Sequence, residues 1–176
     1  MITTLKEFKQ FNKEIDNDEN LEGKDGCLML YFDIKNWKKI KSLVKIEDLH
    51  ENGFSNNPHV TILYGLVGFQ DQQQIIDLVK TFSKDIEVEL DYISTFEKDE
   101  FDVIKFDIDN QLINDLNIKI KKFINSNDYP VYHPHLTIAY LKKGKGKDYV
   151  GEIEPITIKA KYYVYSLPLT NKKIKI

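Results

Sequence analysis

The sequence has little of several features that mark particular protein classes. Its single cysteine, Cys27, excludes a disulfide scaffold and a cysteine-rich zinc site, and it suits a reducing compartment. No apolar run approaches the roughly 18–20 residues of a membrane-spanning helix. Residues 1–10 also lack the apolar centre of a secretory signal. We therefore expect a cytoplasmic protein that has no membrane partner.

Positive charge is not in excess either. The 176 residues carry 25 Lys and Arg against 28 Asp and Glu, which gives a formal net charge of −3. A protein that covers duplex DNA or long RNA needs a basic surface, so this balance disfavours such partners. It leaves a local patch or a small ligand as the possible contact with nucleic acid.

Apolar periodicity predicts an α+β protein with mainly antiparallel strands. Residues 27–34 form an apolar run of strand length, and residues 86–92 and 104–108 alternate between apolar and polar side chains. Helical patterns lie between the strands without a regular βαβ order. We expect a short N-terminal helix and linker in residues 1–26, followed by one domain in residues 27–176.

Two segments of the chain repeat each other 76 positions apart. Residues 58–64 read PHVTILY and residues 134–140 read PHLTIAY, with five of seven positions identical. In a strand, residues i and i+2 share a face. His59 should therefore point with Thr61, and His135 with Thr137, while the apolar residues between them face the core.

Two facing His-x-Thr pairs suit the cleavage of a phosphodiester. The reaction needs a base for the attacking oxygen and an acid for the leaving oxygen, on opposite sides of the phosphorus. Histidine titrates near neutral pH, so one imidazole can be neutral while the other is protonated. A threonine hydroxyl can donate to a non-bridging phosphate oxygen. This arrangement requires no metal or other cofactor.

The paired motifs resemble those of the two-histidine (2H) phosphoesterase superfamily, which includes bacterial RNA 2′,3′-cyclic phosphodiesterases and 2′-5′ RNA ligases. The resemblance implies a bilobal α+β fold, with two pseudo-symmetric lobes and mainly antiparallel sheets around a central cleft. It also implies that His59 and His135 are the acid–base pair and that Thr61 and Thr137 bind phosphate. Which histidine is the acid stays open.

A narrower resemblance concerns the substrate. Residues 46–49 (IEDL), Gly53 and residues 58–65 (PHVTILYG) are similar to phage-encoded members of the superfamily. Among these are anti-CBASS nucleases, which destroy the cyclic oligonucleotide signals of bacterial immunity. The resemblance implies a hydrolase of cyclic oligonucleotides in the host cytoplasm. Two alternatives stay open: processing of short RNA ends with 2′,3′-cyclic phosphates or 2′-5′ linkages, and a nucleotide-binding sponge without turnover.

Further residues are candidates for contacts around the motifs. Tyr31 and Tyr163 lie in predicted strands and could stack on a nucleobase. His133 shares a face with His135, but no carboxylate or cysteine at a matching spacing completes a metal site. We therefore expect no metal, and we expect His133 to contact substrate or support His135.

Two further features are the tyrosines at the end of each motif and a basic run after the second motif. Tyr64 and Tyr140 lie five residues beyond their histidines, which by strict alternation places them on the opposite face, as packing residues. Residues 142–147 (KKGKGK) are either a solvated turn or a mobile basic loop that attracts a phosphorylated ligand.

Overall fold

The computed structural model describes residues 25–33, 35–67, 71–170 and 172–176. The helix and linker predicted for residues 1–26 thus lie outside the described residues, apart from Asp25 and Gly26. The strands are β1 (Gly26–Phe32), β2 (Leu49–Phe54), β3 (His59–Leu66), β4 (Glu87–Glu97), β5 (Phe101–Asp107), β6 (His135–Lys142), β7 (Gly151–Ser166) and β8 (Lys173–Lys175). The α-helices are α1 (Trp37–Lys41), α2 (Gln72–Lys80) and α3 (Gln111–Ile120), and short 3-10 turns span Ile46–Asp48 and Gly146–Tyr149.

All eight of these strands join one antiparallel sheet, so the predicted α+β class is confirmed. The order is β1-β3-β6-β5-β4-β7-β8, with β2 beside β6. The long strand β7 pairs with β4 along its first part and with β1 along its second part. The two sheets implied by the resemblance are therefore halves of one continuous sheet.

A pseudo-twofold relation connects the two halves of the sheet. Exchanging β1 with β5, β3 with β6 and β4 with β7 leaves the pairings among these six strands unchanged, because β1–β3 becomes β5–β6 and β1–β7 becomes β5–β4. The register obeys the same relation, because Tyr31 pairs with His59 in one half and Asp107 pairs with His135 in the other, each 76 positions later. The segments that follow match as well: the buried residues Trp37 and Ile40 of α1 and Val44 just after it correspond to Ile113, Leu116 and Ile120 of α3. The repeat thus extends well beyond the seven-residue motif.

A bulge recurs at the same place in both halves. In β3, Thr61 pairs with Met29 and Leu63 with Leu28, which leaves Ile62 without a partner. The equivalent residue Ile138 is skipped in β6. A bulge reverses the alternation of side chains beyond it. The expectation that Tyr64 and Tyr140 lie on the opposite face from the histidines is therefore wrong. Tyr64 is 54% exposed, and Tyr140 is half-buried with its ring 5.6 Å from that of Phe101.

The basic run at residues 142–147 is a tightly contacted turn. Its lysines meet acidic side chains or backbone carbonyls: Lys142 contacts the Glu47 carbonyl, Lys143 contacts Asp102, Lys145 contacts Asp48 and Asp148, and Lys147 contacts Glu97. Gly146 is packed so closely that a Cβ atom there would clash with Thr95. The turn also begins seven residues after His135, roughly 23 Å along an extended strand. Its position and pairing favour the structural interpretation over the ligand-attracting loop.

In the described part of the chain, no helix is both long and apolar enough to cross a membrane.

The bulge in β3 is held by a buried side chain of α3. Asn117, which is 5% exposed, donates its Nδ2 hydrogen to the Ile62 carbonyl at 2.6 Å. We expect Asn117→Ala to lower the free energy of unfolding by about 1–3 kcal/mol, because a buried carbonyl loses its donor. Urea unfolding measures this. Asn114→Ala, at a half-buried position one turn earlier, is the matched control, and an equal loss in both variants would contradict the role of the hydrogen bond.

Candidate active site

The two motifs meet where β3 and β6 touch. The two strands pair at Val60 and Leu136, the central residues of the two motifs. Counting outward from this antiparallel pair places His59 opposite Thr137 and Thr61 opposite His135, and directly opposed Cβ atoms lie about 4.5–5.5 Å apart. Val60 and Leu136 are fully buried, and the four polar side chains are half-buried on the other face. We call these four residues the motif patch.

Backbone hydrogen bonds fix both imidazole rings in the same way. The Nδ1 atom of His59 lies 2.9 Å from the Asn57 carbonyl, and that of His135 lies 2.8 Å from the His133 carbonyl. Because a carbonyl only accepts, each Nδ1 carries a hydrogen. In both motifs a proline lies between the residue that supplies the carbonyl and the histidine, and proline disfavours a helical conformation in the residue before it. Each Nε2 is therefore the atom left to exchange a proton with a substrate.

Tyr31 supports His59 rather than offering a free ring face. Its ring stacks on His59 with centroids 5.2 Å apart and on Tyr162 with centroids 5.4 Å apart. Lys175 covers Tyr162 in turn, with Nζ 3.9 Å from the ring centroid. Both faces of Tyr31 are thus occupied, and the base-stacking role predicted for it would require the ring to move.

Tyr163 is in the core, so its predicted contact with a nucleobase is wrong. It is 1% exposed, and its hydroxyl donates to the Ser83 carbonyl. The reason is a bulge in β7: Tyr162 pairs with Tyr31 and Ala160 with Phe32, which leaves Lys161 without a partner. Alternation reverses there, and Tyr162 instead of Tyr163 shares the face of the motif patch.

A charged cluster lies beside the second motif and was not predicted from the sequence. Lys105 pairs with Thr137 and Asp107 with His135 across β5 and β6. Lys105 is 4% exposed and forms an ion pair with Asp107, and Ser94 bonds to both, at 2.8 and 2.6 Å. The available signal was a lysine and an aspartate at positions i and i+2 of the FDVIKFD strand, which places both on the same face.

Phe96 connects this cluster to the histidine. Its ring meets His135 at an interplanar angle of 88° with centroids 5.1 Å apart, and Lys105 Nζ lies 4.2 Å from the Phe96 centroid. Burial lowers the pKa of His135, and the nearby Lys105 ammonium acts in the same direction, against the His133 carbonyl and Asp107. Burial would raise the pKa of Asp107, but hydrogen bonds from Lys105 and Ser94 outweigh it and hold that pKa below its usual value.

Thr61 has contacts of its own behind the motif patch. Tyr132 donates its hydroxyl hydrogen to the Thr61 carbonyl at 2.8 Å. Burial raises the pKa of Cys27 to about 11, although a hydrogen bond with Thr61 acts the other way. Cys27 is therefore a neutral thiol near pH 7, which suits neither a nucleophile nor a metal ligand.

The remaining points from the sequence concern the His133 side chain and a metal site. His133 is exposed and contributes its backbone carbonyl to His135, while the substrate contact predicted for its side chain stays a prediction. Among the described residues, no three His, Cys, Asp or Glu side chains come together in a way that could hold a metal ion.

Comparisons with known proteins agree with this geometry. The family model of the 2′-5′ RNA ligase superfamily matches residues 32–159. The chain belongs to this family. The 2H phosphoesterase assignment made from the two motifs is thereby confirmed at the level of the superfamily. No curated protein sequence matches this member of the superfamily.

Solved structures share the fold of this 2′-5′ RNA ligase superfamily member. The MHV ns2 PDE domain is 12% identical, and the match covers 87% of this chain and 99% of that domain with a TM-score of 0.50. E. coli LigT complexed with 3′-AMP is 13% identical, and the match covers 86% of this chain and 95% of LigT, also with a TM-score of 0.50. LigT complexed with NADP+ is 14% identical, with coverages of 86% and 94% and the same TM-score. At these identities the likeness shows the fold alone.

The lowered pKa of His135 predicts a pH dependence of stability. Below the ordinary histidine value of 6.5 the unfolded chain binds a proton that the folded His135 resists, so acid favours unfolding. Stability should therefore fall as the pH is lowered below the ordinary histidine value of 6.5 and recover as the pH is raised through it. We expect His135→Gln to flatten this pH dependence, measured by urea unfolding on both sides of that value. An unchanged slope would mean that His135 titrates alike in both states.

Proposed function

We propose that this protein is a metal-independent phosphodiesterase that hydrolyses small nucleotides, with His59 and His135 as its acid–base pair. The observation that carries the proposal is the motif patch, where two imidazoles with their Nδ1 hydrogens committed to carbonyls lie beside two threonine hydroxyls. Such a patch offers proton exchange at two Nε2 atoms and hydrogen bonds to one phosphate.

The chemistry follows from this arrangement. A ribose 2′-hydroxyl or a water attacks phosphorus while one neutral imidazole takes its proton at Nε2. The P–O bond to the leaving group breaks in line, and the other, protonated imidazole gives its proton to the departing oxygen. Thr61 and Thr137 donate hydrogen bonds to non-bridging oxygens as negative charge grows there. With water, the net change is hydrolysis of one phosphodiester bond. With the 2′-hydroxyl, a new P–O bond replaces the one that breaks, and the product is a 2′,3′-cyclic phosphate and a free hydroxyl on the leaving group.

We further propose a cyclic oligonucleotide of bacterial immunity as the substrate, met in the host cytoplasm. A compact ligand suits a chain of net charge −3. It also suits a structure in which the lysines of the 142–147 turn are paired with acidic groups or carbonyls. Nucleotides in two LigT complexes support a nucleotide ligand for this fold, one being 3′-AMP and the other NADP+.

Processing of short RNA ends is the second candidate. The match to the 2′-5′ RNA ligase superfamily favours it, because that description refers to 2′-5′ linkages in RNA. The same four residues of the motif patch would perform either reaction. The size of the ligand separates the two substrates, since a longer polyanion binds with a steep salt dependence that a small nucleotide lacks.

The test is a panel of cyclic di- and trinucleotides, 2′,3′-cyclic-phosphate RNA ends and 2′-5′-linked oligomers, incubated with and without EDTA and followed by mass spectrometry. We expect cleavage that EDTA does not affect. His59→Ala and His135→Ala should each lower the rate by about 10²–10⁴, because each removes a proton-transfer group. Thr61→Ala and Thr137→Ala should cost less, up to about 10².

His50→Ala is the matched control, because His50 lies outside the motif patch on β2 and its ring contacts Phe101. Full activity in the His59→Ala, His135→Ala double variant would refute the catalytic assignment. Tight binding with intact ligand recovered after long incubation would identify a sponge and exclude the hydrolase.

A further inference from the structure

The two halves of the site share a backbone but differ in charge. Residues 27–31 and 103–107 have the same register against β3 and β6, 76 positions apart. The residue that pairs with the motif threonine is Met29 in one half and Lys105 in the other. The residue that pairs with the histidine is Tyr31 in one half and Asp107 in the other. The neighbours of His135 thus carry formal charges where those of His59 do not.

Lys105 is held too firmly to act as an ordinary surface lysine. Its side chain is 5% exposed, and its Nζ bonds to Asp107 and to Ser94. The same nitrogen lies over the ring of Phe96, whose ring meets that of His135. The Asp107 side chain is 60% exposed, so water screens the aspartate more than the lysine.

We propose that Lys105, clamped by Asp107 and Ser94, is the positioning residue that makes the two histidines inequivalent, with His135 as the base and His59 as the acid. This inference rests on the proposed phosphodiesterase function.

The physical argument is the interaction of charges near a partly buried ring. A positive charge that is shielded from water disfavours a second positive charge nearby, so Lys105 favours neutral His135, which is the form that a base needs. At the positions that match Lys105 and Asp107, the neighbours in the other half are Met29 and Tyr31, which carry no formal charge. The charged and titratable groups around His135 are Lys105 and Asp107 on β5, Lys98 next to Phe96 after β4, His59 on β3 and His133 just before β6.

The roles then follow. Neutral His135 takes the proton of the attacking hydroxyl or water at Nε2, and protonated His59 delivers a proton to the leaving oxygen.

The test is an NMR titration of the His135 ring in the free protein, which needs no substrate. Lys105→Met installs the residue found at the matching place in the other half, and we expect it to raise the His135 pKa by roughly 0.5–1. Asp107→Asn removes the opposite charge and should lower the pKa. The double variant should lie between the two single variants.

Opposite shifts are the decisive result, since a merely structural disturbance would not change sign with the charge removed. Shifts in one direction for both single variants, or no shift in either, would overturn the inference. If Lys105→Met does not fold, Asp107→Asn still tests it, because asparagine keeps the size of the side chain and one acceptor oxygen for Lys105.

A kinetic measurement separates this inference from the proposed function. In Lys105→Met, the acidic limb of kcat/KM should move to higher pH together with the NMR titration. If the shifts occur but no phosphodiester is cleaved, the proposed function fails and the effect of Lys105 on His135 stands. If His59→Ala and His135→Ala abolish cleavage while Lys105→Met moves neither the titration nor the acidic limb, the inference on Lys105 fails alone.

Discussion

The antiparallel pairing of Val60 with Leu136 is the contact on which the rest of the site depends. It lies on the pseudo-twofold axis and joins the two repeats at their central residues. Both side chains are fully buried, and burying a side chain of this size stabilises the fold by about 1.5–3 kcal/mol. A slip by one residue would place histidine and threonine in the core and the apolar residues in water. The hydrophobic core therefore keeps the polar motif patch on the other face.

The bulges at Ile62 and Ile138 complete this arrangement. Each lets two successive apolar residues enter the core, Ile62 with Leu63 and Ile138 with Ala139. Each strand can thus continue with its core face buried while Tyr64 and Tyr140 return to the face of the motif patch. Since the bulge occupies the same place in both repeats, it belongs to the repeated unit rather than to one half of the sheet.

The sequence was sufficient for the fold class and for the placement of the motif residues on one face, because period-2 alternation and a repeated seven-residue motif can be read directly from the chain. It was insufficient wherever alternation is interrupted. The bulge at Lys161 places Tyr162 rather than Tyr163 on the face of the motif patch, and only the pairing of β7 with β1 reveals it. The Lys105 cluster was missed for a different reason. Lys105 and Asp107 can be placed beside the second motif only when the strands on both sides of β5 are known. Those pairings join segments that are distant in the chain.

A symmetric backbone and an asymmetric set of side chains solve different parts of the chemical problem. An in-line displacement needs proton-transfer groups on two sides of one phosphorus, and a twofold axis supplies two such positions with one repeated structure. The reaction itself is not symmetric, since one group must begin neutral and the other protonated. Identical surroundings would leave that choice to the substrate. The residues beside the motifs make the surroundings of the two histidines different. Met29 and Tyr31 occupy the positions in one half that Lys105 and Asp107 occupy in the other. Under the proposed mechanism, the positive charge of Lys105 acts on one of the two proton-transfer groups, which is compatible with a chain whose overall charge is −3.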